Sequence, residues 1–143
     1  MSTTEFKADL RDISFVLFEQ LRVQDDKHGH LADFDEGMYR MVLDEARKLA
    51  EETVAPVNSK GDRQGCRWDD GEVRTPDGYK EAYAKFSEGM WGSVAMAPEL
   101  GGMGLPTPVA MGVVGTGAAA WLALRPGTVL VERGHNGDSG YVA

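Results

Sequence analysis

Between residues 36 and 54 the chain reads EGMYRMVLDEARKLAEETV. Met38, Met41, Val42, Ala46, Leu49, Ala50 and Val54 recur at helical spacing, and Asp44, Glu45, Lys48, Glu51 and Glu52 fill the other side. A helix with such a stripe needs a second element to bury it. Asp35 is placed to cap its start, and Asp44 with Lys48 is an i,i+4 pair of the favourable order. Pro56 normally ends or kinks a helix. Val57 nevertheless keeps the register, so a kinked continuation to about Ser59 is predicted.

Other helices supply the partner surface. In DLRDISFVLFEQL (residues 9–21), Ile13, Val16, Leu17, Phe18 and Leu21 form one apolar stripe, with Asp12 as its predicted N-cap. Residues 22–35 are polar and read as a loop. Asp70-Gly71, between Cys66–Trp68 and Glu72–Arg74, predicts a short hairpin. Thr75-Pro76 reads as an N-cap and first helical position, opening a helix with Tyr79, Ala82, Tyr83 and Phe86 that stops at Gly89. Met90, Trp91, Val94 and Met96 pack as a connector. APELGGMGLP (residues 97–106) has too many glycines and prolines for anything but a shaped loop. Val109 to Leu124 reads as a buried helix, and TVLVERGHNGDSGYVA as one short strand and a disordered end. The fold class is therefore all-α, with a β-hairpin near 66–74 as its one excursion. The divisions are a helical extension and loop (1–35), a helical domain (36–106) and a Gly-rich tail (107–143).

Charge narrows the function. The net charge is −8. Residues 107–143 carry only Arg125, Arg133, Glu132 and Asp138, so the whole excess lies in residues 1–106, while the tail holds 7 of the 18 glycines. An acidic chain of this kind argues against nucleic acid and anionic membrane as partners, because both draw on positive charge. Val109 to Leu124 is uncharged, but a helix of that length reaches roughly 24 Å against about 30 Å of hydrocarbon. No membrane span is expected. The start, MSTTEFKADLRD, has no apolar signal region, and the single Cys66 fits a reducing compartment. A cytoplasmic location is expected.

No local motif carries chemistry. Gly115-Thr116-Gly117 with Ala120 fits a dinucleotide fingerprint, and Asp138 stands about twenty residues on, but the pattern needs a whole βαβ unit. Small residues that let helices pack closely are the simpler reading. His28 and His30, with Asp25, Asp26, Asp33 and Asp35 nearby, lack a second cluster to complete a metal site. Met38 stands where a calcium loop needs glycine. Cys66, with Arg63 and Arg67 beside it, has no catalytic signature around it. No catalytic, cofactor-binding or metal-ligating residue is assigned.

Three segments taken together resemble the start of an acyl-CoA dehydrogenase. They are DLRDISFVLFEQL (Asp9–Leu21), LDEARKLAEETVAPVNSKGDRQGC (Leu43–Cys66) and DGEVRTPDGYKEAYAKFSEGMWGSVAMAPELGGMGLP (Asp70–Pro106). Their order and content resemble the branch that includes methylthiopropanoyl-CoA dehydrogenases. The third segment is the most specific, with its TPDGYKEAY start, its Gly89/Trp91 step and its PELGGMGLP loop. The resemblance implies a helical N-terminal domain that walls part of the acyl chain. FAD, a β-domain, a second helical bundle and a glutamate base come later in the family's chains. It implies acyl-CoA as substrate and FAD as family cofactor, with none held by this chain alone. The resemblance fades after Pro106, where Arg125-Pro126-Gly127-Thr128 is a remnant of a family turn. A truncation, such as a frameshift near residue 107, is the expectation. The chain is then inactive by itself. The alternative is a non-enzymatic helical module that docks on a full-length dehydrogenase or on itself.

Overall fold

The computed structural model describes residues 6–122. The strand expected in the tail, the Arg125–Thr128 turn and Asp138 lie outside them. Helix α1 (Arg11–Ser14) runs on without a break into a π-helical stretch, Phe15–Gln20. Short 3-10 turns at Val23–Asp25 and Gly29–Asp33 fill the expected loop. A long helical rod follows: α2 (Glu36–Lys48), a π-helical stretch Leu49–Val54, and α3 (Ala55–Gln64). Strands β1 (Arg67–Asp69) and β2 (Glu72–Arg74) form an antiparallel hairpin, and helices α4 (Tyr79–Glu88) and α5 (Thr107–Leu122) complete the described residues. The helical class with a small sheet matches the expectation.

The local chemistry of each element explains its bounds. Asp35 caps α2, its Oδ1 accepting from the Met38 amide at 2.8 Å. The first helix starts differently from the sequence expectation: Asp9, not Asp12, accepts from a first-turn amide, that of Arg11, at 2.8 Å. Asp12 already lies inside the helix. The rod outlasts the predicted stop at Ser59 because the π-helical stretch prepares for Pro56. The Ala55 amide bonds five residues back to Ala50, and this wider winding carries the chain past the proline ring.

The hairpin pairs Arg67 with Arg74, Trp68 with Val73 and Asp69 with Glu72. Its turn has φ +43° at Asp70 and +87° at Gly71, the left-handed pair a two-residue hairpin requires. Thr75-Pro76 does not open α4. The Tyr79 amide bonds back to the Pro76 carbonyl at 3.3 Å, and Gly78, at φ +90°, is the residue before the helix. Gln64 clasps this turn. Its Nε2 donates to Asp77 Oδ2 at 3.1 Å and its Oε1 accepts from the Asp77 amide at 3.0 Å. This clasp, helped by Lys60, holds the Asp77 carboxyl below its ordinary range.

The core joins the first helix, α2, the connector and α5 through Leu17, Phe18, Tyr39, Leu43, Ala46, Val94, Val109 and Val113. The buried line on α2 is Tyr39, Leu43 and Ala46, continued by Ala50 in the π-helical stretch. It is rotated from the expected stripe, since Met41 is 60% exposed and Met38 sits at the edge. The loop after the connector folds back on it. The Gly104 amide donates to the Met96 carbonyl at 2.8 Å and the Leu105 amide to that of Val94 at 2.9 Å. A side chain at Gly102 would land on the Met96 carbonyl. Helix α5 is half buried, not wholly so as expected. Val109, Ala110, Val113 and Thr116 face inward, while Met111 and Val114 face out. Among the described residues no helix is long and apolar enough to cross a membrane.

Candidate functional site

The helices line a predominantly apolar cleft of about 560 Å³. Ala46, Leu49, Ala50 and Val54 of the rod form one wall. Phe86 of α4 and the connector residues Trp91, Gly92, Val94, Ala95 and Met96 form a second. Ala110, Met111, Val113, Val114 and Gly117 of α5 form the third. Small residues make the space. Ala46 and Ala50 keep the rod thin, and a Cβ placed on Gly117 would meet nothing within 4 Å. No lining side chain is ionisable, so the cleft can hold an apolar chain or ring and can move no proton.

A shallower apolar groove of about 440 Å³ lies on the other flank of Met111, between the first helix and α5. Asp12 is the one charged residue lining it. A third, larger depression beside Arg40 and Arg47 is polar, and both of these guanidinium groups are already paired. Arg47 bonds Asp44 at 2.7 Å and Glu51 at 3.3 Å, and Arg40 bonds Glu36 at 2.7 Å while lying 4.3 Å over the Phe18 ring. Arg47 accordingly draws the Asp44 carboxyl below its ordinary range.

The residues singled out from sequence do not converge. Gly115 and Gly117 lie inside α5, and Val109–Val114 before them is helix, so no strand-to-helix turn exists to hold a pyrophosphate. Asp25 pairs with Arg22 at 2.7 Å. Asp26 accepts from exposed His28 at 2.6 Å, which lowers its pKa. Asp35 is the α2 cap. Among the described residues no three His, Cys, Asp or Glu side chains group as metal ligands. Cys66 is an exposed free thiol. The cleft itself was missed in the sequence. Its Trp91, Val94 and Met96 read there only as connector packing, and the pattern of alanines and glycines facing them was the available signal.

No family model matches the chain. A 3-methylmercaptopropionyl-CoA dehydrogenase of Ruegeria pomeroyi is 41% identical over 70 residues, covering 49% of this chain and 12% of that protein. A broad-specificity linear acyl-CoA dehydrogenase, FadE5, of Mycobacterium tuberculosis is 32% identical over 128 residues, covering 83% of this chain and 21% of that protein. The chain thus spans about a fifth or less of the length of these curated relatives. Residues 1–106 are about three-quarters of the chain, so a match over 83% of it continues past Pro106, where the resemblance was expected to fade.

Proposed function

The chain belongs with the acyl-CoA dehydrogenases, and from that premise we propose that its apolar cleft forms part of the wall around the acyl chain of an acyl-CoA thioester. The observation that carries this reading is the cleft's lining, predominantly apolar and bounded by Trp91, Met96 and Met111. Such a lining stabilises an acyl chain by removing it from water, roughly 0.8 kcal/mol for each buried methylene. Bound FAD would supply the hydride acceptor for α,β-dehydrogenation. The cleft does not fit the pyrophosphate of FAD, since its lining carries no cationic side chain and the Trp91 indole as its one side-chain donor. No catalytic step follows from the described residues.

Trp91 offers the test. Titration with octanoyl-CoA should shift tryptophan emission, titration with CoA should not, and Trp91→Phe should remove most of the response. Equal responses to octanoyl-CoA and CoA would rule out the acyl wall. A flavin spectrum checks the second half. Stoichiometric yellow chromophore in the purified protein would overturn the view that this chain holds no FAD.

A second reading is a non-enzymatic module that docks on a full-length dehydrogenase or on a second copy. The outward face favours it, with Leu21 56%, Met111 59% and Val114 53% exposed. Contiguous apolar surface of this kind marks interaction sites.

A further inference from the structure

Two Asp-Gly dipeptides stand close together in the chain, Asp70-Gly71 and Asp77-Gly78. In such a unit the glycine amide nitrogen can reach the aspartate Cγ, because glycine has no side chain to block the approach. The two dipeptides are chemically alike, and the fold separates them. Asp70-Gly71 is the turn of the hairpin, outside the paired residues of both strands, and it is exposed. Among the described residues no hydrogen bond or ion pair engages the Asp70 carboxyl. A Cβ on Gly71 would meet nothing within 4 Å. An isolated two-stranded sheet is marginal, so the turn opens readily.

Asp77-Gly78 is no less accessible, the Asp77 side chain being 75% exposed. It is held by bonds instead. Gln64 engages both the Asp77 carboxylate, at 3.1 Å, and its amide, at 3.0 Å, and Lys60 lies 3.5 Å from the same carboxylate. The Tyr79 amide closes over the dipeptide onto the Pro76 carbonyl, and the Gly78 carbonyl accepts from the Ala82 amide at 2.9 Å. A Cβ on Gly78 would meet Val57 at 2.9 Å, so this stretch of backbone is packed against α3. The clasp also favours the ionised Asp77 carboxylate, which is the poorer electrophile.

We propose that Asp70 is a site of spontaneous aspartate isomerisation, and that Asp77 in the same dipeptide is protected by the Gln64 clasp. The Gly71 nitrogen bonds to Asp70 Cγ and gives up its proton, and the Cγ hydroxyl leaves as water, closing a succinimide ring. Water then adds at either ring carbonyl. Opening at Cγ restores aspartate. Opening at the main-chain carbonyl leaves the chain running through Cβ, as isoaspartate, with no net change in mass and no reactant but water. The longer turn no longer suits a two-residue hairpin, so the pairing of Asp69 with Glu72 is lost.

The full chain, kept folded for weeks near neutral pH, supplies the test. Trypsin cuts after Arg67, Arg74 and Lys80, so the two sites fall in separate peptides, 68–74 and 75–80, and Asn136-Gly137 falls in a third. Chromatography with electron-transfer fragmentation counts isoaspartate in each. The folded chain should hold at least about tenfold more at Asp70 than at Asp77, because the clasp must open before Gly78 can attack. In urea that ratio should collapse. Gln64→Ala should raise isoaspartate at Asp77 and leave Asp70 unchanged, with far-UV circular dichroism showing that the variant is folded. Equal amounts at the two sites of the folded chain, an excess at Asp77, or none at Asp70 would overturn the proposal. So would a ratio that persists in urea, since the neighbouring sequence and not the fold would then choose the site. A folded Gln64→Ala chain with Asp77 still inert would overturn the protective role of the clasp.

Discussion

Tyr39 is fully buried, its ring stacked on Phe34 at 5.6 Å, and its hydroxyl has no hydrogen-bond partner among the described residues. A buried hydroxyl left unpaired costs stability that a phenyl ring would not. Tyr39→Phe should therefore stabilise the chain by about 1 kcal/mol, read as a higher midpoint in urea. Burial, with the Asp26 charge behind it, pushes the Tyr39 pKa above its ordinary value. The folded state then keeps its proton after the unfolded chain has lost one. This contribution is complete below the unfolded value of about 10 and is lost as pH climbs through the folded value. Tyr39→Phe should flatten the alkaline fall in stability. A lower midpoint in the variant would show that the hydroxyl has a structural partner. The sequence left Tyr39 out of the α2 stripe in favour of Met38 and Met41. Periodicity placed the helix correctly, but the choice between neighbouring faces depended on which one meets Phe34 and the core, a long-range fact.

At the scale of elements, the glycines separate what was legible from what was not. Asp35 and Asp70-Gly71 act through neighbours within four residues, so the α2 start and the hairpin turn were readable in advance. Thr75-Pro76 carries the same kind of local signal and was overruled. Helix α4 instead begins after Gly78, where Gln64 holds Asp77 and the Tyr79 ring meets Gly61 of α3. A Cβ on Gly61 would run into that ring. Gly117 presents the opposite case, with open cleft where its Cβ would be. Both glycines are helical, so alanine at either gains about 1 kcal/mol of helix propensity. Gly61→Ala should nonetheless be net destabilising by about 1–3 kcal/mol, because the Tyr79 ring must move. Gly117→Ala should keep its gain. Thermal midpoints of the two variants should move in opposite directions, and equal shifts would refute the close α3–α4 contact.

For the whole molecule, the question is what holds residues 6–10 to the rod. The buried core begins at Leu17, with Leu10 and Ile13 packed against it, and residues 6–8 are fastened by Phe6 and by polar contacts around Glu51. Its Oε1 accepts from the Ala8 amide at 2.9 Å, and its Oε2 lies 3.3 Å from Arg47 and 3.7 Å from Lys7. The Glu51 side chain is only 9% exposed, so these bonds are shielded more than surface ion pairs. Phe6 packs beside Ala50, Val54 and Ala55, one turn from the same carboxylate. In the sequence Glu51 belonged to the solvated face of α2. The acidic excess looked uniform there, because a carboxylate that binds a distant amide is indistinguishable from one that binds water. Glu51→Ala removes three contacts but leaves Arg47 on Asp44, so the rod keeps its own pairing. The expected result is local release. Residues 6–10 should become sensitive to limited proteolysis and lose amide protection. Midpoint stability should fall by no more than about 1–2 kcal/mol, since the main core is untouched. Glu51→Gln should recover part of the protection, because an amide oxygen still accepts from Ala8. Global unfolding of Glu51→Ala would instead mean that the N-terminal segment is integral to the core, and the helical domain would then have to begin before α1.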